Sequence, residues 1–191
     1  EKLIDNIKKH DFGTARIIIT GDGRVAKGSL ELLKFTNIKK VSLDEYIQNK
    51  NSFATYCNVP TSSYVAHNEG KVFDLQHFIS YPKMYSSVLY KYLINSSILI
   101  SSHYWDPKSP KLFKKKDISK YSNLKVIGDI TCDINGSIPT TLRSTTIKDP
   151  YFYLDRNTFK EIKKSKDSLA IMAIDNLPSE LPRESSAEFG E

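Results

Sequence analysis

The segment from Ala15 to Gly28 constrains the fold more than any other. Ala15-Arg16-Ile17-Ile18-Ile19-Thr20 is a β-branched run of the length of one buried strand, and it leads straight into Gly21-Asp22-Gly23-Arg24-Val25-Ala26-Lys27-Gly28. Leu30, Leu32, Leu33 and Phe35 then recur at helical spacing up to Asn37, and Ile38–Leu43 is a second strand candidate. Strand, glycine-rich turn, helix and strand within about thirty residues make a βαβ unit, which requires a parallel sheet and a right-handed crossover. The turn has the form G-x-G-x-x-A. Gly21 permits the tight turn, Gly23 lets the backbone approach a pyrophosphate, and Ala26 is small enough for close helix–strand packing. The phosphates then rest on the free N–H groups and positive end of the following helix. A purely structural tight turn is the competing reading. The Gly-Lys-Ser/Thr ending of a nucleoside-triphosphate loop is missing, since Lys27 precedes Gly28.

Further along, Leu3, Ile4 and Ile7 predict a short lead-in helix in the first ten residues, and Asp44–Gln48 a second short helix. Phe53–Val72 reads as irregular. Asp74–Ile79 and Met84–Leu93 are helix candidates separated by Pro82. Ile98–Ser101, Lys125–Ile130 and Leu169–Ile174 are strand candidates, and a loop rich in Pro, Thr and Ser follows Ser137. The expected architecture is α/β: a Rossmann-type, doubly wound, mostly parallel sheet with helices on both faces. Ligands of such sheets bind outside the carboxyl ends of the strands. Interest therefore concentrates at Gly21–Gly28, His103–Asp106, Asp129–Ser137 and Asp175–Pro178.

Charge and composition exclude some functions. The 191 residues carry a net charge of +6, yet from Asp175 onward five acids face only Arg183, which leaves +10 on the rest. A basic body raises nucleic acid as a partner, but runs such as Lys114-Lys115-Lys116 are the usual solvated surface, so nucleic acid is disfavoured. No apolar run approaches the roughly 20 residues of a membrane span. Cys57 and Cys132 support neither a disulfide framework nor a four-cysteine zinc site, and read as reduced thiols of a cytoplasmic protein. His10, His67 and His77 have no metal-ligand spacing, so no metal is expected.

The ribose-binding acid of a dinucleotide site is expected about 20 residues beyond the glycine motif. Asp44 and Glu45 lie in that window and favour NAD. Ser42-x-x-Glu45 is equally a helix capping box, and Lys39 and Lys40 suit the 2′-phosphate of NADP. Asp129 and Asp133 bracket a strand end as a pair of functional carboxylates or as turn-forming and capping residues. His103 fits a site histidine or a hydrogen-bonded turn histidine.

Four motifs then occur in one order: Thr20–Gly28; Tyr104-Trp105 with Pro110 and Leu112; Asp129-Ile130-Thr131-Cys132-Asp133-Ile134-Asn135-Gly136-Ser137-Ile138; and Ile174-Asp175-Asn176-Leu177-Pro178-x-x-Leu181-Pro182. From about Arg16 to Glu191 the series resembles the lysine–ketoglutarate reductase (lysine-forming saccharopine dehydrogenase) branch of the alanine dehydrogenase superfamily. The resemblance implies a nicotinamide-dependent oxidoreductase that reduces the imine of lysine and 2-oxoglutarate to saccharopine. It implies a Rossmann lobe inserted in a substrate lobe, with the site in the cleft between them. An alanine-dehydrogenase-like enzyme for a smaller amino acid, or a non-catalytic dinucleotide-binding module, are the alternatives.

By the same resemblance Gly21, Gly23 and Ala26 form the pyrophosphate turn, and Asp44 stands where the ribose acid falls. Asp133 corresponds to an active-site aspartate that orients ribose or substrate, while Asn176 and Leu177 lie against the nicotinamide. Asp22, Arg24, Val25, Tyr104 and Asp129 complete the candidate cofactor contacts, for NAD or NADP. The family's catalytic Lys and His reside on the other lobe and have no counterpart here. The chain opens at Glu1 rather than Met and stops at Glu191 within a helical pattern. The expected organisation is a lead-in helix over 1–12, the dinucleotide-binding domain over 13–178, and from 179 the return toward a substrate lobe. The expected partners are an amino acid and a 2-oxo acid, in a homo-oligomer of the full-length protein.

Overall fold

The structure, a computed structural model, describes residues 2–48, 50–180 and 182–190. The strands are β1 (Arg16–Thr20), β2 (Lys39–Lys40), β3 (Thr55–Val59), β4 (Val65–His67), β5 (Tyr85–Ser87), β6 (Ile98–Ser101), β7 (Val126–Asp129), β8 (Phe152–Leu154), β9 (Glu161–Ile162) and β10 (Leu169–Met172). The helices are α1 (Lys2–Lys9), α2 (Arg24–Leu33), α3 (Leu43–Gln48), α4 (Thr61–Tyr64), α5 (Leu75–Ser80), α6 (Tyr90–Leu93) and α7 (Pro182–Gly190). Eight strands form one sheet in the order β2-β3-β1-β6-β7-β10-β8-β9, while β4 and β5 pair separately. From β2 to β10 every pairing in the large sheet is parallel; β8 and β9 add an antiparallel edge.

Strand alternation explains why both faces are covered. Successive side chains of a strand point to opposite faces. Ile17 and Ile19 accordingly pack with Ala26 and Leu33 of α2, whereas Ile18 joins Tyr46 of α3 and Leu93 of α6 on the other side. The Rossmann-type expectation of a mostly parallel sheet with helices on both faces holds. The chain leaves β1 toward β3 and β2, then returns to β6 on the opposite flank. The winding direction therefore reverses between β1 and β6, where open α/β sheets leave a crevice for a ligand.

Four local expectations are corrected. The second strand shrinks to Lys39–Lys40 and sits at the sheet edge, because two exposed lysines do not suit a strand buried on both faces. The place beside β1 goes to β3, within the Phe53–Val72 stretch that reads as irregular; Thr55, Tyr56, Cys57 and Val59 are all buried. Met84–Leu93 is no continuous helix: Tyr85–Ser87 pairs with Val65–His67, and only Tyr90–Leu93 is α-helical. The loop after Ser137 contains β8 and β9, with Phe152 and Leu154 packed into the core.

Candidate functional site

The turn after β1 is shaped by two glycines with different duties. Gly21 adopts φ +96°, and a Cβ there would lie 2.8 Å from Ser102 O and 2.9 Å from His103 Cα. It thus lets the end of β1 touch the end of β6. Its N–H donates to Val59 O (3.1 Å), and Asn58 Nδ2 donates to the carbonyls of Ile19 (3.1 Å) and Gly21 (2.6 Å). Gly23 caps α2 in an extended conformation without any side-chain capping bond, and a Cβ there would meet nothing within 4 Å. The first intrahelical bond runs from Lys27 N–H to Gly23 O, so the N–H groups of Arg24, Val25 and Ala26 have no partner within the helix. Ala26 itself is fully buried against the sheet. The result is an open, positively polarised helix end beside a gap where a side chain would stand, which suits an anion.

This helix end opens into a cavity of about 560 Å³, within the range of small-molecule and cofactor sites. Its floor is formed by the ends of β1, β6 and β7: Gly21, Asp22 and Gly23, then Ser101 to Tyr104, then Ile130 and Thr131. Arg24 and Val25 of α2 border it, Thr61 lies beside them, and Leu75, Phe78 and Ile79 of α5 supply an apolar wall. Helix α5 is held by Asp74, which accepts from His77 N–H (2.7 Å), and by the contact between His77 Nδ1 and Tyr85 Oη (3.0 Å). The cavity is thus polar where the strands end and apolar beneath α5, as an amphipathic ligand requires.

His103 is 9% exposed at the cavity floor. Its Nδ1 shares a 2.9 Å hydrogen bond with Thr20 Oγ1, while its buried Nε2 has no partner among the described residues. Burial pushes its pKa down from 6.5 to about 4, so the ring is neutral near pH 7. Between these values the unfolded chain binds a proton that the folded chain refuses, so His103 costs stability as pH falls from about 6.5 to about 4. The expected loss across that window is up to about 3 kcal/mol. Urea unfolding across this range is the measurement, and His103→Gln should flatten the slope.

Asp129 is fully buried at the end of β7. It accepts from Thr131 Oγ1 (2.5 Å) and Thr141 Oγ1 (2.6 Å), and from the backbone N–H groups of Cys132 and Thr131. Burial nevertheless holds its pKa above the usual carboxylate value, with these bonds acting in the opposite direction. Its hydrogen bonds organise the loop after β7. Asp129→Ala should orphan both hydroxyls and lower stability by about 2–4 kcal/mol, read by urea unfolding.

The structure therefore gathers Gly21, Asp22, Gly23, Arg24, Val25 and Tyr104 around one cavity, whereas Ala26 and Asp129 are buried and do not line it. Asp133 is exposed on the loop after β7, and Asn176 and Leu177 follow β10 on the same carboxyl edge. Those two loops adjoin: the Cys132 thiol is pushed up by burial, then by the Asp133, Asp129 and Asp175 carboxylates. None of Asp133, Asn176 and Leu177 is among the residues lining the 560 Å³ cavity. Neither is Asp44, whose carboxylate acts with burial and Cys57 to push up the Tyr92 hydroxyl on the face carrying α3 and α6. Beside it, Ser42 Oγ accepts from Glu45 N–H at 3.2 Å, as an N-cap does. Residues that sequence reasoning misses are Asn58, Thr61 and the α5 wall. Asn58 left a trace as a polar residue in a mostly buried strand, and α5 left one as the helix candidate Asp74–Ile79.

Among the described residues no helix is long and apolar enough to cross a membrane. No family model matches the chain. Among curated proteins it is similar to an alpha-aminoadipic semialdehyde synthase of Arabidopsis thaliana, with 29% identity over 197 residues, covering 91% of this chain and 18% of that protein. The mitochondrial alpha-aminoadipic semialdehyde synthase of Bos taurus is 28% identical over 205 residues, covering 94% and 22% of the two chains. That of Mus musculus is 26% identical over 206 residues with the same coverage. The chain spans about a fifth of the length of these relatives. The matches support the resemblance to the lysine–ketoglutarate reductase branch.

Proposed function

We propose that the chain is the cofactor-binding lobe of a nicotinamide-dependent amino-acid oxidoreductase that reduces the imine of lysine and 2-oxoglutarate to saccharopine, or runs the reverse reaction. The observation that carries this reading is the open N-terminus of α2, bordered by Gly23, facing a cofactor-sized cavity between the ends of β1 and β6. The similarity to alpha-aminoadipic semialdehyde synthases supports it from a separate direction.

In this account the main-chain N–H groups of Arg24 to Ala26 and the α2 dipole hold the pyrophosphate. Gly21 and Asn58 fix the turn that presents them. The Leu75, Phe78 and Ile79 wall excludes water from one side of the cavity. Asp129 holds the loop that carries Asp133, and Asp133 with Asn176 and Leu177 flanks the nicotinamide half. The bound dinucleotide supplies the hydride, while the protein supplies orientation and electrostatics. Most of the contacts to lysine and 2-oxoglutarate are assigned to a substrate lobe beyond these residues.

Choice between NAD and NADP falls to the cavity's two charged residues. Asp22 suits a 2′-hydroxyl and Arg24 a 2′-phosphate, whereas Asp44 lies outside the lining. Equal affinity for NADH and NADPH would show that neither charge discriminates.

The test is oxidation of NADH or NADPH by the full-length protein. Turnover is expected with lysine plus 2-oxoglutarate and not with pyruvate plus ammonia. Turnover with the second pair alone supports the alanine-dehydrogenase-like alternative. Dinucleotide binding without turnover on either pair leaves a sensing module.

A further inference from the structure

We infer that Thr61 reads the adenosine half of the cofactor: its Oγ1 hydrogen-bonds the 2′-oxygen of the adenosine ribose, a duty that the count from the glycine motif gives to Asp44. The inference rests on the cofactor reading above.

The sheet order decides which strand end this ribose meets. With Asp133, Asn176 and Leu177 flanking the nicotinamide half, that half lies on the β7 and β10 side of β1, and the adenosine half falls on the side of β3. Strand β3 runs parallel to β1 with Val59 opposite Thr20, and Gly21 N–H donates to Val59 O at 3.1 Å. Thr61 follows Val59 by two residues, as Asp22 follows Thr20, so the two turns leave the sheet side by side. Thr61 Oγ1 comes within 3.5 Å of Asp22 Oδ1, and both residues line the cavity. Among the described residues, Thr61 is the one lining residue supplied by the stretch that follows β3. Asp44 stands beyond the edge strand β2, which β3 separates from β1, and does not line the cavity.

Thr61 is half-buried, and its contact with Asp22 is solvent-exposed, so a ligand in the cavity reaches it. Its place is fixed from below. Tyr64 is buried with its hydroxyl 3.4 Å from Thr61 Oγ1, and Asn58 ties the glycine turn to β3 by donating to Gly21 O at 2.6 Å. Both contacts of the Thr61 hydroxyl are long against the usual spacing of about 2.7–2.8 Å, which leaves it without a strong partner. A hydroxyl donates one hydrogen bond and accepts two, so it can satisfy a ribose oxygen in either sense. The pyrophosphate on the N-terminus of α2 places that ribose at the neighbouring strand end.

The test titrates the chain with NADH, ADP, 2′-deoxy-ADP and nicotinamide mononucleotide, before and after Thr61→Val and Thr61→Ser. Valine keeps the shape and deletes the hydroxyl; serine keeps the hydroxyl. Thr61→Val should weaken NADH and ADP by about 5- to 10-fold, the scale of one neutral hydrogen bond, and Thr61→Ser should bind them nearly as the unmutated chain does. The unmutated chain should bind 2′-deoxy-ADP about 5- to 10-fold less tightly than ADP, a preference that Thr61→Val erases. Binding of nicotinamide mononucleotide should be indifferent to both substitutions. Equal affinity of the unmutated chain for ADP and 2′-deoxy-ADP, or a Thr61→Val chain that keeps the full preference, overturns the assignment of Thr61 while leaving the cofactor reading intact. Equal weakening toward all four ligands does the same. Failure of the unmutated chain to bind any nucleotide overturns both.

Discussion

Replacing Gly23 by valine is expected to weaken dinucleotide binding by at least about 100-fold, or about 2.7 kcal/mol, while the protein stays folded. The two effects separate because of what surrounds this residue. A Cβ at Gly23 meets nothing within 4 Å, and the backbone there is extended, a conformation that valine adopts readily. The cost to the free protein is therefore confined to the weaker capping preference of valine, about 1 kcal/mol. The same side chain occupies the place in which phosphate oxygens must approach the N–H groups of α2. Isothermal titration with NADH and NADPH measures the first effect, and thermal unfolding the second. Unaltered affinity would mean that the helix end does not hold the pyrophosphate.

Gly21 should behave in the opposite way. Gly21→Ala is expected to cost about 3 kcal/mol or more of folding stability, because a non-glycine residue at φ +96° is strained and its Cβ would overlap backbone atoms. The atoms it would meet, Ser102 O at 2.8 Å and His103 Cα at 2.9 Å, belong to the neighbouring strand end and have no free rotamer to retreat into. At about 2–4 °C per kcal/mol for a chain of this size, Tm should fall by about 6–12 °C. Urea unfolding gives the free energy directly. A wild-type Tm would show that β1 and β6 do not meet as closely as the structure has them.

The contrast shows how much of the site was legible in the sequence. The spacing of Gly21, Gly23 and Ala26 after Ile17-Ile18-Ile19 marks a strand-to-helix turn of the form that a phosphate would need, because local geometry and chemistry coincide there. The spacing leaves open which glycine serves the ligand and which the fold, since that depends on Ser102 and His103, some eighty residues away. The partner of β1 was illegible for a similar reason. Lys39-Lys40 follows the helix as the motif expects, but solvent exposure consigns it to the edge, and the buried Thr55–Val59 takes the inner place. Asp44 counts from the motif into the right window, yet that count presumes that β2 adjoins β1. The α5 wall was readable as the helix candidate Asp74–Ile79, of which Asp74 proves to be the N-cap, and unreadable as a lining, because long-range pairing of β4 with β5 brings it over the strand ends.

Titration of the chain with NADH and NADPH, followed by the fluorescence of its single tryptophan, Trp105, tests dinucleotide binding most directly. Trp105 adjoins Tyr104, which lines the cavity. Saturable one-to-one binding of at least one of the two, displaced by ADP and lost in Gly23→Val, is the expected result. A folded chain that binds neither dinucleotide would contradict it.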